Sequence, residues 1–335
     1  MRRFAMVACF LMAVIASACQ SAALRSAKIY VQEGDTDKAL EELKRAVAEN
    51  PQDGEAYMLM GSAYGIKGAF AEMNEAFEKV MELAPKRDLE VEQWRRRFWV
   101  ENYNRGAEAA QNKDFAAAIG AFEKAVIIDP DKTDAFKHLG YAYYRTERID
   151  ECLKAYGRVL ELDPDDGATL TRVGFILFNA QRYSEAVEHL EKAVELGGED
   201  ADLISTLADA YARMGRDDEA LKMYGRALEM APENVDIRLN LGRLSWRGED
   251  FEGAVRHFGR AVELVPGRAG AHHDLAMVYI KLERFEEAVG ALRRAVELRP
   301  DNGDSWYWLG HVYANLDRVE ESEEAFGRAE VLQGE

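Results

Sequence analysis

The sequence predicts an all-α chain built as an array of helical hairpins, and three observations carry that expectation. The seven prolines, Pro51, Pro85, Pro130, Pro164, Pro232, Pro266 and Pro300, stand 34, 45, 34, 68, 34 and 34 residues apart. All gaps but one are multiples of 34. Proline lacks an amide donor and its ring clashes one turn back, so it ends helices, and a proline lattice marks the same helix end repeated. Small and large residues also recur at fixed places inside each 34-residue segment. Finally, alanine, leucine, glutamate and arginine dominate, glycine is mostly periodic, and no low-complexity run appears. That composition favours ordered helices over disorder.

The first element from the N-terminus is an export signal. Residues 1–18 open with Arg2 and Arg3, continue as an apolar run from Phe4 to Ile15, and end Ala16-Ser17-Ala18 before Cys19. The run is too short for a stable membrane span and has the charged start and small-residue end of a secretory signal peptide. Ala-Ser-Ala-Cys resembles a bacterial lipobox, which implies that Cys19 is acylated and becomes the mature N-terminus. That pattern prefers leucine three places before the cysteine, where this chain has Ala16. Ala16-x-Ala18 also satisfies an ordinary signal peptidase cutting the same bond, which would leave a soluble periplasmic protein. Gln20 follows, and resemblance to enterobacterial lipoproteins implies the outer membrane, facing the periplasm. Cys9 leaves with the signal and Cys19 carries lipid, so Cys152 remains alone and no disulfide framework is expected.

Aligning back from the prolines defines nine segments: 20–53, 54–87, 99–132, 133–166, 167–200, 201–234, 235–268, 269–302 and 303–335. The eighth place is small in all of them: Ala27, Gly61, Gly106, Gly140, Gly174, Ala208, Gly242, Ala276 and Gly310. The twentieth is alanine in Ala39, Ala118, Ala186, Ala220, Ala254 and Ala288, with Met73, Cys152 and Ser322 as departures. The twenty-fourth is large, from Leu43 and Phe77 to Leu292 and Phe326. On these residues the chain is identified as a member of the tetratricopeptide repeat (TPR) family over nearly all of its mature length. The resemblance implies a right-handed superhelical solenoid of about nine helix-turn-helix repeats. Small residues let antiparallel helices approach closely and the large one fills the space beside them. Cys152 in an alanine slot reads as a small buried hydrophobe. The fifth segment lacks proline and closes on Gly197-Gly198, which can stop a helix through a left-handed cap.

One irregularity interrupts the period. Residues 88–98 are added before the third segment and lack glycine and proline. Three helical turns need about 10.8 residues, so the addition preserves the helix face and extends the next helix backwards by roughly 16 Å. Trp94, Arg95, Arg96, Arg97 and Phe98, followed by Trp99, suit docking to a partner or to acidic headgroups, against the alternative of a helix that caps a neighbouring repeat.

In each segment's first helix, places 4, 7, 8 and 11 face neighbours while places 5, 9, 12 and 13 point away from that stripe. In the family the latter line a concave groove for extended peptides. In the fourth to eighth segments they carry Lys137, Arg145, Arg213, Arg243, Arg247 and Lys281 against Asp209, with Tyr141, Tyr144, Phe175, Phe178 and Trp246. Arginine beside aromatics is a binding composition. Tyr141 stands where the family's carboxylate clamp needs asparagine, so that ligand class is not supported.

A formal charge of -18 disfavours nonspecific attraction to nucleic acid. There is no phosphate-loop or nucleophile-elbow motif, and the adjacent His272 and His273 point about 100° apart, so no enzyme, cofactor or metal is expected. The expected function is a non-enzymatic adaptor lipoprotein of the cell envelope that binds a protein or extended peptide and holds the membrane through its N-terminal lipid. TPR lipoproteins of this kind resemble pilotins of secretin and type IV pilus assembly, or outer-membrane assembly scaffolds. A TPR scaffold of exopolysaccharide export, with groove aromatics stacked on sugar rings, and a soluble periplasmic chaperone are the alternatives. If lipid on Cys19 is the tether, a Cys19→Ala chain is expected in the soluble fraction of lysed cells. A variant that still fractionates with membranes refutes it.

Overall fold

The computed structural model describes residues 21–333, so the signal segment, Cys19 and Gln20 lie outside the described residues. The chain divides after Pro164 into two compact units. The first holds α1 (Ala22–Glu33), α2 (Thr36–Glu49), α3 (Gly54–Lys67), α4 (Phe70–Leu83), a 3-10 turn (Pro85–Arg87), α5 (Asp88–Gln111), α6 (Phe115–Ile128), α7 (Thr133–Arg145) and α8 (Ile149–Leu162). The second holds α9 (Gly167–Asn179), α10 (Tyr183–Glu195), α11 (Ala201–Arg213), α12 (Asp217–Met230), α13 (Val235–Arg247), α14 (Phe251–Leu264), α15 (Ala269–Lys281), α16 (Phe285–Leu298), α17 (Gly303–Asn315) and α18 (Val319–Gln333). Among the described residues there is no strand. Consecutive helices pair as hairpins, α1 with α2 through α17 with α18.

Six of the nine described hairpins close on the bare backbone of a glycine, and the other three on Ala27, Ala208 and Ala276. A methyl group built on Gly61 would sit 2.5 Å from the Phe77 ring, one on Gly106 2.7 Å from Phe122, and one on Gly242 2.6 Å from Phe258. Each ring thus occupies the volume a side chain at the eighth place would need. The alanine-slot departures keep the approach. Cys152 and Met73 are fully buried, and Ser322 Oγ donates to the Gly310 carbonyl at 2.9 Å.

Every turn between paired helices uses one left-handed residue, at the fifteenth place: Gly34, Gly68, Lys113, Glu147, Gln181, Gly215, Glu249, Glu283 and Asp317. The next amide then reaches back to the carbonyl five residues earlier, as from Arg148 to Tyr143 at 3.0 Å and from Arg318 to Tyr313 at 2.9 Å. This caps the last open carbonyls of the first helix. Six of the nine left-handed residues carry side chains, at about 1 kcal/mol or more each.

An arginine secures several turns. Arg148, Arg216 and Arg318 lie 4.5, 4.4 and 4.5 Å from the ring centroids of Tyr143, Tyr211 and Tyr313. The same arginines pair with Glu151, Glu219 and Glu321 one helical turn on. Tyr143 donates to Glu123 Oε1 of the preceding hairpin at 2.6 Å. Burial, with that bond second, pushes the Tyr143 phenol up to about 12. At the proline-free joint, Gly197 has φ +89° and the Gly198 amide donates to Ala193 O at 3.0 Å.

The added residues form the first turns of α5, a single helix of 24 residues. Its inner face carries Val91, Trp94, Arg95 and Phe98. Phe98 lies against the bare Cα of Gly65, 5.9 Å from the Phe70 ring and stacked at 5.7 Å on Trp94. Val91 and Phe98 join Met58, Met73, Phe77 and Ile128 in one buried cluster, with Trp94 half-buried against it. Arg95 Nε donates to Asn74 Oδ1 at 3.3 Å, and Asn74 Nδ2 donates to Ile127 O at 2.6 Å. Trp99 stacks on Tyr103 at 4.6 Å with its indole N–H buried. The expectation that Trp94, Arg95 and Phe98 present a docking surface is therefore corrected: the preserved helix face turns them into the core, and only Arg96 and Arg97 of that set are exposed.

Gly65→Ala must displace Phe98 and is expected to destabilise the chain by about 1–3 kcal/mol, the usual range for overpacking. Gly120 has open space around it, so Gly120→Ala should instead stabilise by up to about 1 kcal/mol. Denaturant midpoints of the two variants should move in opposite directions; equal shifts would show that the Gly65 contact is not a constraint.

Candidate functional site

Within the second unit, α11, α13 and α15 bring the thirteenth place of three successive segments to the same side. Arg213, Arg247 and Lys281 are the last residues of these helices, where the helix dipole favours a cation. With Arg243 and Trp246 they line a cavity of about 810 Å³, completed by Asp209, Ala212, Tyr224, Asn240, Leu244, Glu249 and Phe251. The Trp246 ring is 37% exposed and meets Phe251 edge-on at 5.4 Å. Lys281 Nζ stands 5.7 Å from the Phe251 centroid.

The floor is a polar network. Asp209 Oδ1 accepts from Tyr224 Oη and from Asn240 Nδ2, the latter at 2.9 Å. Burial raises the Asp209 carboxyl above its ordinary value, opposed by the Tyr224 bond and by the nearby Arg213 charge. Burial and Asp209 in turn raise the Tyr224 phenol. Asp209 thus fixes Asn240 and Tyr224 and is itself held partly out of water.

The charge balance differs from the sequence expectation of six cations against Asp209. Arg243 Nη2 pairs with Asp274 Oδ2 at 3.3 Å, and Arg247 Nη2 with Asp217 Oδ1 at 2.6 Å. These carboxylates come from other places of the repeat, 31 and 30 residues away, so a count over groove places omits them. Among the described residues, Arg213 and Lys281 make no ion pair within 4 Å. Arg213 instead faces Asp209 without pairing to it, and Lys281 lies over Phe251.

The other expected groove residues lie elsewhere. Phe175 and Phe178 are half-buried on α9, with Phe178 5.5 Å from Tyr183. In the first unit, Arg145 Nη1 donates to Tyr141 Oη at 2.8 Å and its guanidinium lies 4.5 Å from the Phe115 ring. Tyr144 is 40% exposed, and Lys137 is half-buried. Sequence reasoning missed Asn240, one turn before Arg243, which its spacing could have found. It also missed Tyr224 and Phe251, which enter from second helices, outside the places considered.

The histidines are occupied locally. His272 Nε2 lies 3.0 Å from Pro266 O and His273 Nδ1 2.9 Å from the buried Ser305 Oγ. Among the described residues no cluster of three or more His, Cys, Asp or Glu could hold a metal, and no helix is long and apolar enough to cross a membrane.

Family models described as tetratricopeptide repeat match residues 54–87, 109–171, 165–233, 205–269, 245–297 and 273–333, and one described as TPR repeat matches 27–68. No curated protein matches the chain. Among solved structures, YrrB, described as a TPR protein with an unusual peptide-binding site, is 24% identical over 55% of this chain and 95% of its own, with a TM-score of 0.51. A MamA fragment from Desulfovibrio magneticus RS-1 is 21% identical over 50% of this chain and 96% of its own, with a TM-score of 0.47. MamA AMB-1 is 27% identical over 51% and 94%, with a TM-score of 0.48. The likeness to YrrB is one of fold.

The raised Asp209 carboxyl generates a pH prediction. The folded chain binds this proton more tightly than the unfolded one, so the group's contribution is fully present below 3.8 and is lost as pH rises through the folded value. Between acid and neutral pH, the wild-type chain should lose stability relative to Asp209→Asn. A difference in urea midpoint between the two that is independent of pH would show that Asp209 is not desolvated.

Proposed function

Because the chain belongs to the tetratricopeptide repeat family, whose repeats serve typically as non-catalytic scaffolds for protein-protein interaction, we propose that its second unit holds an extended segment of a partner protein against α11, α13 and α15. One observation carries the reading. The Trp246 ring is exposed in a cavity where Arg213 and Lys281 make no ion pair among the described residues. Tryptophan and arginine at a concave surface combine apolar contact with a charge that a carboxylate can meet. Beneath them Asn240 is held from both sides, its Nδ2 donating to Asp209 Oδ1 at 2.9 Å and its Oδ1 accepting from Arg243 Nη1 at 3.3 Å. The ligand is accordingly a segment rich in carboxylates.

The envelope setting belongs to the same proposal and rests on sequence: the signal-like residues 1–18 and Cys19 support a lipid-tethered outer-membrane adaptor facing the periplasm, of the kind that serves secretin, type IV pilus or outer-membrane assembly. The tether and the groove are independent, so either can fail alone.

Crosslinking in intact cells, followed by affinity capture of the chain, tests the groove. A Trp246→Ala, Arg213→Ala, Lys281→Ala variant removes the open ring and cations without stranding Asp217 or Asp274. It should fold normally by circular dichroism and recover at least about tenfold less of the wild-type partner, as hot-spot truncations of about 1.4 kcal/mol or more do. Raising ionic strength from about 0.1 M to 1 M, which shortens the Debye length from about 10 to 3 Å, should weaken the wild-type complex. Equal recovery by the two chains would sink the groove reading.

A further inference from the structure

From α5 we infer that its outward face is a second docking surface, separate from the groove, for an acidic amphipathic helix of a partner protein. Leu89, Gln93, Arg96 and Val100 follow one another at steps of four, three and four residues, and so lie on one line along the helix. Leu89 is 72% exposed and Val100 39%. Arg96 and Arg97 stand between these apolar ends and are exposed. The opposite face is already consumed by Val91, Trp94 and Phe98 in the core, so the helix is held rigidly with this line turned to solvent.

The charge on this face is open. Arg87, Arg95 and Arg105 of the same stretch pair with Glu90, Glu92 and Glu101. Among the described residues Arg96 and Arg97 make no such pair, and Arg97 is steadied over the Trp94 ring at 5.4 Å. Two open cations between two exposed apolar side chains locally complement carboxylates of a partner. A partner helix matches the spacing. Leu89 and Val100 are about 16 Å apart at 1.5 Å per residue, which an amphipathic helix matches with two apolar residues three turns apart and carboxylates between them. A second copy offering the same face would set arginines against arginines. A bilayer would need a broad apolar stripe sunk below the headgroups, and here the apolar stripe faces the core.

The probe is a stapled helical peptide of about 15 residues with leucines eleven apart and glutamates on the turns between them. A control peptide has lysine for each glutamate. Fluorescence anisotropy with the full chain should show binding of the glutamate peptide and none of the lysine peptide. Arg96→Glu with Arg97→Glu, and separately Leu89→Ser, should each weaken it by about tenfold or more, while melting as the wild type does. The Trp246→Ala, Arg213→Ala, Lys281→Ala chain should bind it unchanged, which keeps this surface distinct from the groove. The inference is overturned if the acidic peptide does not bind, or if the groove variant abolishes binding that the arginine variant retains. It is equally overturned by a wild-type dimer in sedimentation that the arginine variant dissolves, or by phosphatidylglycerol vesicles taking the place of the peptide as the ligand lost in that variant.

Discussion

The close approach of two helix backbones inside each hairpin is the constraint on which the rest of the structure depends. Gly61, Gly106, Gly140, Gly242 and Gly310 lie so near Phe77, Phe122, Tyr156, Phe258 and Phe326 that no side chain could be added without moving a ring. Burying those rings, or Leu43, Leu190 and Leu292 in their place, is what each hairpin gains. The approach occupies one face of each first helix and leaves its ninth, twelfth and thirteenth places turned away. What remains free to vary on the first helices is what those places carry, together with interruptions of the pattern.

Both candidate surfaces follow from this. The 34-residue period returns the thirteenth place of α11, α13 and α15 to one side, so Arg213, Arg247 and Lys281 form a row without any local sequence motif. Counter-ions then sort the row. Asp217 and Asp274 hold Arg247 and Arg243 in place, while Arg213 and Lys281 make no ion pair among the described residues. The extension of α5 shows the same economy. Its inner face closes over Gly65, where the helix backbone is bare, and its outer face is left with Arg96, Arg97, Leu89 and Val100.

How much of this is legible in the sequence depends on whether a residue's role is set within one period. The hairpin ends and small-large pairs are, because proline and glycine act through backbone geometry at fixed places. The left-handed fifteenth place is not, since Lys113, Glu147, Gln181, Glu249, Glu283 and Asp317 give no glycine signal. Side-chain direction on the extension was hidden for another reason. Eleven residues preserve the helix face, but which side of that face meets Gly65 and Phe70 is decided by the second hairpin. Contacts spanning about one repeat, such as Arg247 with Asp217 and Asn240 with Asp209, join different places of neighbouring segments. Five of the expected groove residues line the cavity, and its floor joins the ninth-place Asp209 to Asn240 on the next first helix and to Tyr224 on a second helix.

The claim at the centre is that the working face is that of the first helices in the second unit. Photo-crosslinking in living cells tests it directly, with p-benzoylphenylalanine placed at Trp246 on α13 or at Arg260, exposed on the second helix α14. The account predicts a discrete adduct with a partner protein from position 246 and none from position 260. Adducts from 260 with none from 246 would contradict it.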